Sequence, residues 1–242
     1  MNIIKPLTKS LKFKKKFWKL VLSDLAHYVV LALLILIFAS VLVKNVQNIS
    51  EELQIDTLDD LSFEAMQSDS SLLGKFYATF WISIVVCGAI YLLSQTYFKG
   101  KIYATLLKEK LSKAKFVKFL ILTIILLAIT ILLSLLLRPE RIVLFIVYLF
   151  VTFYLTVMFS IALFKTKKPK ELFKEFYRIA IKKIHHFIIP LIITLVLFMV
   201  INTATLLLFG VNPYLLILGI LLMVIFITWT KYYFVLVYKS VE

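Results

Sequence analysis

The stretch Lys12–His27, KFKKKFWKLVLSDLAH, decides how this chain is read. Lys12, Lys14, Lys15, Lys16 and Lys19 run into an apolar span, with Trp18 at the junction. A helix passing from a basic aqueous face into hydrocarbon has this pattern. Its cations stay among headgroups, and an amphipathic ring sits at the interface. The apolar run continues from Leu20 to Val43, longer than the roughly 20 residues a crossing needs. It is too long for the apolar core of a signal peptide, and no small-x-small cleavage site follows, so a retained transmembrane helix is expected. Asp24 and His27 lie inside it.

Five further spans resemble it: Phe76–Phe98, Phe116–Leu137, Ile142–Phe164, Phe187–Phe209 and Tyr214–Thr230, the last with helix continuing to about Tyr238. The 242 residues are 62% hydrophobic, well above the roughly half expected of a soluble domain. Lipid leaves unpaired backbone groups no partner, so uninterrupted apolar runs of this length are helices. The expected fold is all-α: one transmembrane domain over residues 1–242, with six helices in three hairpins and basic interfacial amphipathic helices.

The formal net charge is +15. On a soluble protein this would suggest nucleic acid. Here the cations are confined between spans, so the implied partner is an anionic membrane surface and no nucleic-acid partner is expected. The segments before the first span, between the second and third, between the fourth and fifth, and after the sixth hold 24 of the 28 lysines and arginines. The other side holds Lys44, Lys75, Arg138 and Arg141. The positive-inside rule then expects a multi-pass protein of the cell membrane with both termini cytoplasmic. The single cysteine, Cys87, lies in an apolar run and excludes an internal disulfide.

The basic segments look alike: PLTKSLKFKKKFWKL, YATLLKEKLSKAKFVKFL and PKELFKEFYRIAIKKIHHF. In the third, Leu172, Phe173, Phe176, Ile179, Ala180 and Ile184 recur at helical spacing, and Pro169 suits a first turn. KFWKL and KFVKF place Phe17 and Phe116 at matching junctions. This suggests three repeated units, although basic-then-apolar topology alone produces the same likeness. Lys14, Lys15, Lys16, Lys19, Lys115, Lys118, Lys182 and Lys183 are the expected headgroup contacts. On the other side, Asn45–Gly74 is expected to be an acidic loop with Glu51, Glu52, Asp56, Asp59, Asp60, Glu64 and Asp69. Leu58, Leu61, Ala65 and Met66 give it a short helical face. Arg138–Arg141 and Gly210–Pro213 read as tight turns.

Ionisable residues within spans are the first candidates for function. Asp24 and His27 share a helix face. Asp24 is expected near the headgroups or against a nearby lysine, with a proton-linked or substrate-binding pair as the alternative. Lys231 is expected to snorkel, although pairing with Asp24 is geometrically open. Asn202 reads as a helix-packing hydrogen bond. Ser94 and Gln95 read as interfacial, and Pro190 as a bend at the start of the fifth span. Thr152, Thr156 and Ser160 read as packing on the fourth span, and His185–His186 as surface residues. The sequence carries no G-x-S-x-G, H-E-x-x-H or P-loop, so no catalytic residue, cofactor or metal is expected.

With ends such as WTKYYFVLVYKSVE, the layout resembles six-helix membrane proteins of bacteria and archaea. It is similar to the membrane domain attached to some glycerophosphodiester phosphodiesterases. The resemblance implies a helical membrane domain and carries over no functional residue. The expected function is non-enzymatic: a scaffold, accessory subunit or lipid-organising component, with a membrane protein partner or oligomer. The alternative is a small permease with a polar path near Asp24, His27 and Asn202. An intramembrane enzyme ranks third.

Overall fold

The structure, a computed structural model, describes residues 4–52, 70–136, 142–166 and 169–242. These are helical, with no strand among the described residues. The elements are α1 (Ile4–Ser10), α2 (Lys15–Glu52), α3 (Ser70–Leu107), α4 (Lys113–Leu136), α5 (Ile142–Lys165), α6 (Pro169–Phe176), α7 (Ile188–Val211) and α8 (Leu216–Val241). Among the described residues, four stretches are long and apolar enough to cross a membrane: Lys15–Asn48, Gly74–Leu107, Ile188–Val211 and Pro213–Val241. α4 and α5 are helices of 24 residues each, and side chains 133–147 lie outside the described set.

The chain divides into two units. The first comprises Met1–Ala26 and Gln95–Glu242. Here α8 packs along α7, meets α1 and touches α5, while α5 packs on α4 and α6. Phe187 and Phe234 stack in its core at 6.0 Å, and Trp229 stacks on Tyr233 at 5.2 Å. Phe17, Leu20, Tyr103, Phe119 and Met158 are buried with them. These residues come from the ends of the helices that adjoin the basic segments. Toward its other end, α7 exposes Val200, Leu206, Leu207 and Phe209, and α8 exposes Ile217, Leu218 and Ile220. The second unit, His27–Ser94, is the facing lengths of α2 and α3. Phe38 and Phe80 meet at 6.2 Å, and Ile35, Leu36, Ile82 and Val85 are exposed.

Several expectations change. α2 runs to Glu52 and α3 begins at Ser70, so both ends of the supposed outer loop are helix. Asp56, Asp59, Asp60, Glu64 and Asp69, the Leu58–Met66 face and the turn at 138–141 lie outside the described residues. The second basic segment is not an amphipathic helix of its own. α3 continues past Phe98 because Ile102, Tyr103 and Leu106 are drawn into the first unit's core. The helix stops at Lys108, which adopts φ 61°. Glu109 N–H donates to the Ala104 carbonyl at 2.8 Å and Lys108 N–H to Thr105, a Schellman cap.

The third segment starts as α6 with Pro169 in its first turn, then widens to a π-helix over Tyr177–Lys182. The wider turns shift the phase of the apolar stripe. Ile179 and Ala180 are buried, while Phe173, Tyr177, Ile181 and Ile184 are exposed. The Tyr154 hydroxyl donates to the Ala180 carbonyl at 2.8 Å. The three segments therefore have three different local structures, and repetition does not extend to them. Pro190 falls in the first turn of α7, where no N–H has an intrahelical partner to lose. It lies at the start of the helix, as expected.

Two substitutions test this packing. A Cβ on Gly219 would lie 2.3 Å from Thr205 Cγ2, whereas one on Gly210 meets nothing within 4 Å. Gly219→Leu should lower stability by about 1–3 kcal/mol, seen as a reduced Tm in detergent, with Gly210→Leu as the near-neutral control. Lys108→Gly should stabilise by about 1 kcal/mol, because glycine takes left-handed φ without a Cβ clash.

Candidate functional site

The α2 residues just inside the basic cluster alternate between surface and core. Lys19 is exposed, Leu20 and Val21 are buried, and Asp24 is 1% exposed. On α8, Thr228 and Lys231 are one turn apart and face Asp24. Lys231 Nζ donates to Asp24 Oδ1 at 2.6 Å and to Oδ2 at 2.8 Å. The Thr228 hydroxyl lies 2.6 Å from Oδ2 and 2.9 Å from the Val224 carbonyl, and its one proton serves one acceptor at a time. Lys231 is only 3% exposed. The expected snorkelling is therefore overturned, and of the two expectations for Asp24 the pairing with a lysine is the one found. A carboxylate in the third turn of α2 offered the ammonium a nearer partner than water.

Other polar groups surround the pair. Lys99 of α3 lies within electrostatic reach of Lys231 and Asp24. Buried Tyr103 is within reach of Asp24 and bonds to Ser160. Ser160 Oγ also donates to the Thr156 carbonyl, and Thr156 to that of Thr152, so the α5 hydroxyls serve their own helix. Trp229 Nε1 donates to Ser10 Oγ at 3.1 Å, tying α1 to α8. None of these partners follows from sequence periodicity alone. Thr228, one turn before Lys231, was the detectable signal.

The remaining candidates go elsewhere. His27 belongs to the second unit, where its Nδ1 lies 3.1 Å from Ser94 Oγ. Ser94 is thus the hydrogen-bond partner of His27 within this unit. Asn202 is exposed on α7 and forms no side-chain hydrogen bond to a neighbouring helix among the described residues, contrary to its expected packing role. Neither residue, nor Asp24 or Lys231, lines the cavities described below.

Among the expected headgroup lysines, Lys14, Lys15, Lys16, Lys19 and Lys182 are exposed. Lys115 is engaged by Glu109 at 3.0 Å and lies over the Phe164 ring. Lys118 is half-buried. Lys183 donates to the Val241 carbonyl at 2.9 Å. With the Lys165–Glu242 ion pair and the Lys239 bond to the Leu106 carbonyl, it fastens the last turn of α8. Lys115 and Lys183 are thus committed to the fold.

The His185 and His186 rings are 3.9 Å apart. Burial, then the neighbouring charges of His185 and Lys183, hold His186 below the usual imidazole value. No group of three or more His, Cys, Asp or Glu gathers among the described residues.

No protein-family model matches the chain, and neither the curated proteins nor the solved structures compared with it give a match.

Removing one partner of a buried pair strands the other charge. Asp24→Asn and Lys231→Met should each lower stability by about 3–5 kcal/mol, and the double variant should recover much of the loss. Thermal unfolding of the four proteins in one detergent measures the coupling.

Proposed function

We propose that this is a multi-pass protein of the cell membrane with six crossing helices, both termini cytoplasmic, and a non-enzymatic role. In this reading it organises anionic lipid or scaffolds a membrane partner. The observation that carries the reading is the contrast between its charges. Asp24, the one acid in the apolar span Leu20–Val43, is engaged by Lys231 and Thr228. Meanwhile Lys12, Lys14, Lys15, Lys16, Lys19, Lys101, Lys110 and Lys182 stand exposed beside exposed apolar helix faces. Phe13 and Trp18, about half exposed, sit among the first of these lysines. Aromatic rings and lysines at one level suit the headgroup zone of an anionic leaflet, where each lysine contributes about 1 kcal/mol.

The permease reading has less support. A pathway needs polar groups around a shared cavity. Asn202 is exposed, and the Asp24 oxygens already hold three short contacts.

The test is lipid retention. Full-length protein is reconstituted in vesicles of equal phosphatidylglycerol and phosphatidylcholine, extracted gently, and its bound lipids counted by mass spectrometry. Retained lipid should be several-fold enriched in phosphatidylglycerol. The enrichment should decline as salt rises above about 0.1 M and screening tightens. Retention at the input ratio in low salt would contradict the reading.

A further inference from the structure

Within the first unit, α2 and α3 border a cleft of about 520 Å³, a size ordinary for small-ligand sites. Its polar lining is Lys19, Ser23, Lys101 and Thr105. Its apolar lining includes Leu22, Ala26 and Phe98. The Ser23 hydroxyl is the informative group. Hydroxyls in apolar helices usually close on the carbonyl one turn back. Thr105, Thr123, Thr156, Ser160, Thr194 and Thr230 all do so here. Ser23 Oγ and Thr96 Oγ1 are buried with no hydrogen-bond partner among the described residues, and of the two Ser23 lines the cleft. A buried hydroxyl left unpaired costs about 1–3 kcal/mol. The Ser23 oxygen is turned out of reach of water, and rotation about χ1 would bring the hydroxyl into the cleft to meet a partner from outside the chain.

The two lysines set the charge of that partner. Lys19 and Lys101 are exposed, and neither forms a carboxylate ion pair among the described residues. Lys101 Nζ lies 5.6 Å from the centre of the Tyr97 ring, which supports it at the cleft rim. Moving along α2 from Lys19 to Ser23 and Ala26, the lining changes from cation to hydroxyl to methyl. The change spans about 10 Å at 1.5 Å per residue. On α3 the order runs from Thr105 and Lys101 to Phe98. Leu20 and Ile102 line the cleft beside the two lysines as well, so each wall carries one cation toward its basic end and is largely apolar beyond it. A soluble anion would leave the apolar half unfilled, and a neutral sterol or fatty chain would leave the cations unmatched.

We propose that this cleft is a specific site for one anionic phospholipid. The headgroup phosphate lies between Lys19 and Lys101, the Ser23 hydroxyl donates to a phosphate or ester oxygen, and the upper acyl chain runs against Leu22, Ala26 and Phe98. The proposal rests on the headgroup-binding reading above and narrows it to one place.

The test measures phosphatidylglycerol binding to full-length protein in detergent, by native mass spectrometry and by lipid-induced rise in Tm, with phosphatidylcholine and inorganic phosphate as comparison probes. Lys19→Gln/Lys101→Gln should weaken phosphatidylglycerol binding about tenfold or more, while Lys14→Gln/Lys15→Gln, an equal loss of charge outside the cleft, should weaken it less than about threefold. Ser23→Ala keeps both charges and removes the unpaired hydroxyl. It should hold or raise the Tm without lipid and shrink the rise that phosphatidylglycerol produces.

Equal effects of the two lysine pairs, with an unchanged response in Ser23→Ala, would overturn the cleft and leave the broader headgroup reading standing. No preference for phosphatidylglycerol over phosphatidylcholine in the unaltered protein would overturn both. Stabilisation by millimolar inorganic phosphate equal to that by lipid would overturn the phospholipid as occupant.

Discussion

Asp24 and Lys231 are 207 positions apart and joined by two short hydrogen bonds in a site closed to solvent. The rest of the first unit is consistent with that constraint. A buried charge is tolerated only when paired and hydrogen-bonded. Pairing fixes the early turns of α2 against the later turns of α8. Around that level lie Phe17, Leu20, Tyr103, Tyr233 and Phe234. The same end of α8 is held by Lys183, Lys165 and Lys239, each reaching its last turns or extending from them. Thus the well-packed part of the unit sits next to the basic segments, and the opposite helix ends of α7 and α8 present exposed apolar side chains.

This asymmetry gives the proposed membrane placement its physical logic. Where lysines meet water and headgroups, packing and ion pairs set the helix positions. Where the helices are leucine, isoleucine, valine and phenylalanine, lipid provides no hydrophobic drive for them to associate. Only five glycines occur in the chain, and the close approach of Gly219 to Thr205 is the kind of contact that few positions allow. Hydrocarbon or a partner helix would satisfy the remaining surface.

The helices were legible in the sequence because run length and the absence of alternation decide the matter locally. Their ends were less so. Phe98 looked like the end of a span because Lys99 and Lys101 follow it. The helix nonetheless continues to Leu107, since Ile102, Tyr103 and Leu106 find buried places that only tertiary packing creates. Tyr177–Lys182 looked like an ordinary amphipathic stripe, and the π turn changed its phase. Lys231, at the end of an apolar run beside tryptophan and threonine, has the local signature of a snorkelling lysine. Its carboxylate lies far away in sequence, so periodicity could not assign it. Ser23 was unremarked for the opposite reason: a serine beside an aspartate attracts no attention until its hydroxyl is found buried and unpaired.

The proposed orientation puts every strongly basic segment on one side of the membrane. It is tested most directly by thiol labelling in intact cells, on a Cys87→Ser background. Single cysteines would replace Lys12, Lys110, Lys182 and Ser240 on the basic side, and Lys44 and Lys75 on the other. A membrane-impermeant maleimide should label the Lys44 and Lys75 positions without permeabilisation, and the other four only after it. Labelling of the Lys12 or Lys110 position in sealed cells would contradict the account.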